Sequence, residues 1–331
     1  MAYIYKKVVE GKTYYYLRAS VRKGTRIVAK DISYLGSTLD EVKASLDAIP
    51  KSTVRKAYKS IQRFLESNIY LEKAKKLKLK TTSFLDKTLL EEVEACKLHW
   101  QHAFKQRDKR TQQELIKRFA VDFTFNTTNI EGNTITLKQA KLLLSEDLTP
   151  KNKTLREIYD VQNTQRVFLQ LLERVPALAQ ESIIQTHREL MRNVDPRIGY
   201  RTEDVHVIHA RFASSPAPYV KTDMSLLIKW CEENACKLYP FVLAGIFHHK
   251  FEKIHPFFDG NGRAGRMLLN SILLKNGYPP IIIRKRNRAA YLETLGKADK
   301  AHLLQTKPEH YKPLIEFLAA ELIQTYWDVF L

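Results

Sequence analysis

A chain of 331 residues, 44% hydrophobic and without a run of eighteen apolar positions, has room for one large domain or two and no segment fit to span a bilayer. Its three cysteines, Cys96, Cys231 and Cys236, are odd in number and widely spaced, which argues against a disulfide framework and for free thiols in the cytoplasm. The net charge is +19, and residues 1–120 carry most of it, with 27 Lys and Arg against 13 Asp and Glu; that suits a polyanion such as nucleic acid, or a solvated lysine-rich face.

The N-terminus lacks the apolar stretch of a secretory signal and reads instead as β-structure. YIYKKVV and TYYYLRASV flank EGK, and RIVAKDISYLG follows KGT, which predicts a small three-stranded meander over the first 36 residues. Leu39–Leu46 predicts a short helix ended by Pro50. Helical spacing of Ile61, Phe64, Leu65 and Ile69 predicts a helix over 54–79, and a second is predicted over 89–118 because no Pro or Gly interrupts it. Thr136 and Gln139 form a capping box, and further helices fit 155–174, 180–192 and 222–236. VHVI followed by SSPAPYV predicts an extended or hairpin flap over about 205–220. A helix over 241–255 leads into HPFFDGNGRAGR (255–266), and another over 267–275 leaves it, stopped at Asn276-Gly277. The organisation expected is a basic β-rich element (1–50), a long helical region (51–120) and a core (121–331).

Glycine is sparse, 11 in the chain, yet Gly260, Gly262 and Gly265 fall within six positions. A loop of Asp259, Gly260, Asn261 and Gly262 between two helices can turn successive N–H groups into one concavity, a nest for anions, with the next helix adding its N-terminal N–H groups. Arg263 and Arg266 share a face of that first turn, where two cations oppose the helix dipole unless a polyphosphate lies there. Asp259 is the kind of single carboxylate that holds a divalent ion beside phosphates, and His255 can take a proton near neutral pH. Together these parts describe transfer of a phosphorus-containing group. A zinc site on His248, Glu252 and His255, one face of a helix, is the competing reading, but it leaves the nest and the arginines unexplained.

The twelve-residue stretch resembles the signature of the Fic family, H-P-F-x-D/E-G-N-G/K-R-x-x-R, at every specified position, and the resemblance extends over about residues 120–331. It implies a mainly α-helical Fic-type bundle with a small hairpin flap. It also implies a nucleotidyltransferase that moves AMP from ATP, with Mg²⁺ or Mn²⁺, to a Ser, Thr or Tyr hydroxyl of a protein target, the chain itself included. On that resemblance His255 is the general base and Asp259 the metal ligand. Gly260, Asn261 and Gly262 form the anion hole, Arg263 helps hold phosphates, Arg266 grips the γ-phosphate and Phe257 anchors the loop. Gly262 stands where the phosphate-transferring relatives of the Doc type have Lys. TTNIEGN, from Thr127, resembles the family's inhibitory motif S/T-x-x-x-E-G/N through Thr127, Glu131 and Gly132, on a helix over about 122–132. Glu131 would then take Arg266 in bidentate fashion and withhold it from ATP. In some relatives the same glutamate helps remove AMP, so the direction of reaction stays open. Tyr291 is the candidate aromatic for the adenine. A homo-oligomer, or a nucleic-acid-associated regulator built on the basic N-terminal region, are the remaining expectations; no membrane partner is expected.

Overall fold

Glu10 and Gly11 both take positive φ, 49° and 76°, the backbone that joins two strands in a tight hairpin whose twist matches theirs. It links β1 (Ala2–Val9) to β2 (Lys12–Lys23), which pairs in turn with β3 (Arg26–Gly36), giving an antiparallel sheet in the order β1-β2-β3. The computed structural model describes residues 2–24, 26–50, 54–205 and 214–331. The expected meander is therefore present. Its alternating apolar positions, Ile4, Tyr15, Leu17 and Leu35, are buried against α1 (Leu39–Ala48) and the first half of α2 (Tyr58–Lys75). This small core takes in Ala57, Ile61 and Leu65, so it runs past the boundary expected at residue 50.

The helix expected over 89–118 is two helices, α3 (Lys87–His102) and α4 (Lys109–Ile130). Between them a 3-10 turn at Phe104–Gln106 buries Phe104, and Asp108 restarts the helix by accepting from the Thr111 N–H at 2.9 Å. The break comes from an N-cap aspartate rather than from Pro or Gly. α4 runs 22 residues and ends in the segment that carries Thr127 and Glu131.

The rest is helical: α5 (Leu137–Glu146), α6 (Leu155–Glu173), α7 (Gln180–Leu190), α8 (Val220–Asn234), α9 (Pro240–Ile254), α10 (Asn261–Lys275), α11 (Arg288–Ala298) and α12 (Pro308–Val329). The Thr136 capping box forms as expected, and Thr154 with Glu157 makes a second. α9 and α10 pack into the main core, which buries Phe247, Phe251, Phe257 and Leu269. Most of the expected flap, 206–213, lies outside the described residues. Its end is corrected: Ala217–Tyr219 is a 3-10 turn and α8 starts at Val220, because prolines at a helix entry remove N–H groups that would have no partner anyway. Among the described residues, no helix is long and apolar enough to cross a membrane.

Candidate active site

α9 ends at His255, whose left-handed backbone, φ 53° and ψ 60°, turns the chain sharply out of the helix. Non-glycine residues seldom adopt this conformation, and neighbours hold it here. Arg201, 2% exposed, donates from Nε to the His255 carbonyl at 2.8 Å and from its backbone N–H to the Pro256 carbonyl at 2.9 Å. Phe257 is fully buried as expected, with its ring stacked on His187 at 3.6 Å between centroids. His187 Nε2 also donates to the Asp259 carbonyl at 2.8 Å, and burial lowers this histidine's pKa to about 4, so it serves as a neutral strut.

The His255 imidazole donates from Nδ1 to the Glu252 carbonyl at 3.2 Å, which leaves Nε2 as the basic nitrogen. Burial moves its pKa below the ordinary value, so the ring is neutral at physiological pH. Asp259 Oδ1 accepts from the Gly260 N–H at 2.6 Å, and Oδ2 pairs with Arg156. Gly260 takes φ 75° as the N-cap of α10, which begins six residues earlier than the 267 expected. Asn261, Gly262 and Arg263 therefore occupy the first turn, where the N–H groups have no intrahelical acceptor. Two details of the expected nest change. The Asn261 side chain braces the loop, accepting from the Phe257 N–H and donating to the Phe257 carbonyl, both at 2.8 Å, so its backbone N–H is what it can offer an anion. Arg263 is buried and paired with Asp160, with NH2 3.5 Å from Met191 Sδ, and so braces the loop instead of lying open to phosphate.

Arg266 is 2% exposed, yet its guanidinium meets the end of α4. Nε donates to Thr127 Oγ1 at 2.6 Å, and NH2 donates to the Thr127 carbonyl at 3.0 Å and to Glu131 Oε1 at 2.7 Å. The expected pairing with Glu131 is present but through one carboxylate oxygen, because Thr127 takes the Nε edge. Glu131 caps α4, and Gly132 then turns with φ 100°. Two glycines of α10 make the approach possible without any special dihedral. A Cβ at Gly262 would overlap Glu131 Oε1 and lie 2.8 Å from its Cδ; one at Gly265 would overlap Glu252 Oε1 and crowd His248 Nδ1 at 3.1 Å. Spaced one turn apart, they admit a carboxylate on either side of Arg266.

Several partners of this site were not foreseen in the sequence. Lys285 Nζ donates to Asn129 Oδ1 and Arg288 Nε to the Ile130 carbonyl, both at 2.8 Å, placing cations at the C-terminus of α4 where its dipole favours them. One turn of α6 reaches both halves of the site. Arg156 meets Asp259, Asp160 meets Arg263, and Glu157 Oε1 accepts from the Thr134 hydroxyl at 2.6 Å just after the Glu131 turn. The T-x-x-E spacing of Thr154 and Glu157 was the available signal for this turn.

Tyr291 is corrected. It is 1% exposed, its hydroxyl lies 2.5 Å from His248 Nε2, and its ring is packed between His248 and Phe317, so no face is open to a base. The zinc reading fails with it. His248 is fully buried on Tyr291, His255 turns away at the helix end, and among the described residues no three His, Cys, Asp or Glu could hold a metal ion.

Glu252 is largely buried beside this cluster. Its Oε1 has no hydrogen-bond partner, and burial pushes its carboxyl up to about 8 against an ordinary 4.5. The folded protein therefore holds a proton that the unfolded chain has lost between about pH 4.5 and 8, and stability falls as pH rises through that window. Glu252→Gln should remove this dependence. Urea unfolding at pH 5, 6.5 and 8 is expected to show wild type losing ground to the variant with rising pH, at up to about 1.4 kcal/mol per pH unit. Parallel curves would mean the carboxyl is ionised in the fold.

Residues 177–273 match the model of the Fic/DOC family. Protein adenylyltransferase fic-1 of Caenorhabditis elegans is 30% identical over 203 residues, 60% of this chain and 38% of that one. Protein adenylyltransferase Fic of Drosophila ananassae is 30% identical over 205 residues, 59% of this chain and 38% of that one. The match thus spans about two fifths of these relatives' length. Among solved structures, a Fic domain containing signaling protein from Bacteroides thetaiotaomicron superposes with a TM-score of 0.64 at 24% identity, covering 71% of this chain and 94% of that one. A fragment of Fic-1 from C. elegans gives 0.60 at 23% identity over 88% and 92%. These two share its fold. Over residues 177–273 the chain matches the Fic/DOC family model, over about 60% of its length it is similar to proteins named protein adenylyltransferase, and it shares its helical fold with the two solved structures.

Proposed function

We propose that the chain is a protein adenylyltransferase held in an inhibited state by its own α4. The observation that carries this reading is Arg266, pinned between Thr127 and Glu131 beside an anion-binding helix start and a neutral histidine. The named activity of the relatives, adenylyl transfer to protein, is the chemistry such parts perform.

In the reaction, ATP lies with its phosphates against the first-turn N–H groups of α10, and Arg266 takes the γ-phosphate once Glu131 withdraws. His255 Nε2 removes the proton from a target Ser, Thr or Tyr hydroxyl. The hydroxyl oxygen bonds to the α-phosphorus, the bond from that phosphorus to the bridging oxygen breaks, and pyrophosphate leaves. Asp259 is the residue that would hold Mg²⁺ or Mn²⁺. Its carboxylate is one-third exposed, and its partner Arg156 is 57% exposed and able to yield. Such an ion supplies charge neutralisation on phosphate oxygens. Arg201, His187, Asn261 and Arg263 keep the loop in shape. Three free cysteines, Cys96 and Cys231 buried and Cys236 exposed, suit a reducing cytoplasm.

One observation favours a second reading, removal of AMP. The Glu131 side chain is 41% exposed and Arg266 engages one of its oxygens, which leaves the other able to orient a water. Intact-mass spectrometry tests both. With ATP and Mg²⁺, the Glu131→Gly chain is expected to gain one AMP on itself or on an added target. Wild type is then mixed with the modified species, and loss of that mass assigns removal to it. If neither wild type nor variant adds AMP to the chain or to any protein of a lysate, the transferase reading falls.

A further inference from the structure

The N-terminal sheet has no part in this chemistry. Of the first 36 residues eight are Lys or Arg and two are acidic, Glu10 and Asp31. One of the two acids is already neutralised, since Arg18 Nε lies 2.6 Å from Asp31 Oδ1. The sheet also outruns its own core. β2 and β3 pair from Tyr15↔Gly36 out to Lys23↔Arg26, but the packed residues end on β2 at Leu17 and the half-buried Ala19, which pairs with Ala2 of β1, and begin at Leu35 on β3. Beyond them Ser20, Val21 and Arg22 and all of 26–32 are exposed, with Ile27 at 77% and Val28 at 44%.

What protrudes is a two-stranded ribbon. Side chains alternate across it, so Arg26, Val28 and Lys30 share one face, opposite Ala19 and Val21 of β2. That face carries no carboxylate among the described residues, and Asp31 belongs to the other. Exposed valines between cations make a poor solvated surface, and strands this open are normally covered or paired. A two-stranded antiparallel ribbon is narrow enough for the major groove of B-form DNA, where cations meet phosphates or guanine edges and small apolar side chains meet thymine methyls. The deep, narrow major groove of double-stranded RNA would not admit it.

We propose that the β2–β3 ribbon docks in the major groove of duplex DNA through the face bearing Arg26, Lys30, Val21 and Val28. The inference is independent of the catalytic reading.

Fluorescence anisotropy with the full-length chain tests it, using one mixed sequence as duplex DNA, single-stranded DNA and duplex RNA at 50–200 mM salt. Duplex DNA is expected to bind with a micromolar Kd at the lowest salt and to weaken steeply as salt rises. Arg26→Glu with Lys30→Glu, both at exposed positions, should weaken binding at least about tenfold and reduce the slope of log K against log salt by about 2, one unit for each lost phosphate contact. Lys87→Glu with Lys229→Glu, on exposed side chains of α3 and α8, changes net charge equally and should cost less than about twofold. Absence of duplex binding at 50 mM salt overturns the proposal. So does tighter binding of single strands or of RNA, or an equal loss in the charge-matched control.

Discussion

Replacing His255 by Ala is expected to lower AMP transfer by about a thousandfold, within the range lost when a positioned general base is removed. The measurement belongs in the Glu131→Gly background, where there is rate to lose. Geometry sets the expectation: Nδ1–H is spent on the Glu252 carbonyl, so Nε2 carries the lone pair, and burial keeps the ring unprotonated. The rate should therefore be flat above neutrality and fall as pH drops through a pKa lying below the ordinary 6.5. Position 255 is left-handed at φ 53°, a conformation that costs Ala roughly 1–2 kcal/mol and Asn less. His255→Asn is thus the matched control, unable to take the proton but tolerant of the turn. Equal loss in both variants, with unchanged melting of the Asn form, assigns the effect to proton transfer. Transfer in the Asn variant within tenfold of its parent would remove His255 from that role.

Glu131→Gly is expected to raise AMP transfer by about 10- to 100-fold. The size follows from one charge-assisted hydrogen bond to Arg266, about 1.5–3 kcal/mol, no longer competing with the γ-phosphate. Loss of the carboxylate does not set Arg266 adrift, because Nε remains on Thr127 Oγ1 and NH2 on the Thr127 carbonyl. Thr127 thus acts to aim the guanidinium as much as to restrain it. Adding Thr127→Ala to Glu131→Gly should raise the KM for ATP more than it changes kcat. Transfer by Glu131→Gly no faster than wild type would mean that Glu131 is not what limits the enzyme.

The sequence made the candidate loop readable because its chemistry is local. His255, Asp259, the glycines and Arg266 lie within twelve positions, and their spacing around a helix start is a geometric statement in itself. Glu131 was readable across 135 positions only through the resemblance of TTNIEGN to the family's inhibitory motif, since nothing in the spacing of the residues themselves points to Arg266. Arg156, Asp160, His187 and Arg201 were not, since a buried ion pair or ring stack between distant helices leaves no periodic trace. Tyr291 misled for a related reason: an aromatic at helical spacing reads the same whether its face is open or sealed against a histidine. Gly262 sits inside a helix with ordinary dihedrals, and its lack of a side chain matters only once Glu131 is beside it. The division of the 89–118 stretch shows the limit of breaker residues as punctuation, because an aspartate cap did what Pro and Gly were expected to do.

The first turn of α6 has a consequence for control. Arg156 and Asp160 hold the signature loop, while Glu157, on the same rigid turn, holds Thr134 just beyond Glu131. The two ends of a short lever are thereby tied to Asp259 and to the turn that follows α4. A partner that seats on this turn and shifts it changes the affinity for nucleotide by some factor. Because binding free energies around a closed cycle must sum to zero, nucleotide changes the affinity for that partner by the same factor. An enzyme wired in this way would report its own nucleotide occupancy to whatever protein grips α6.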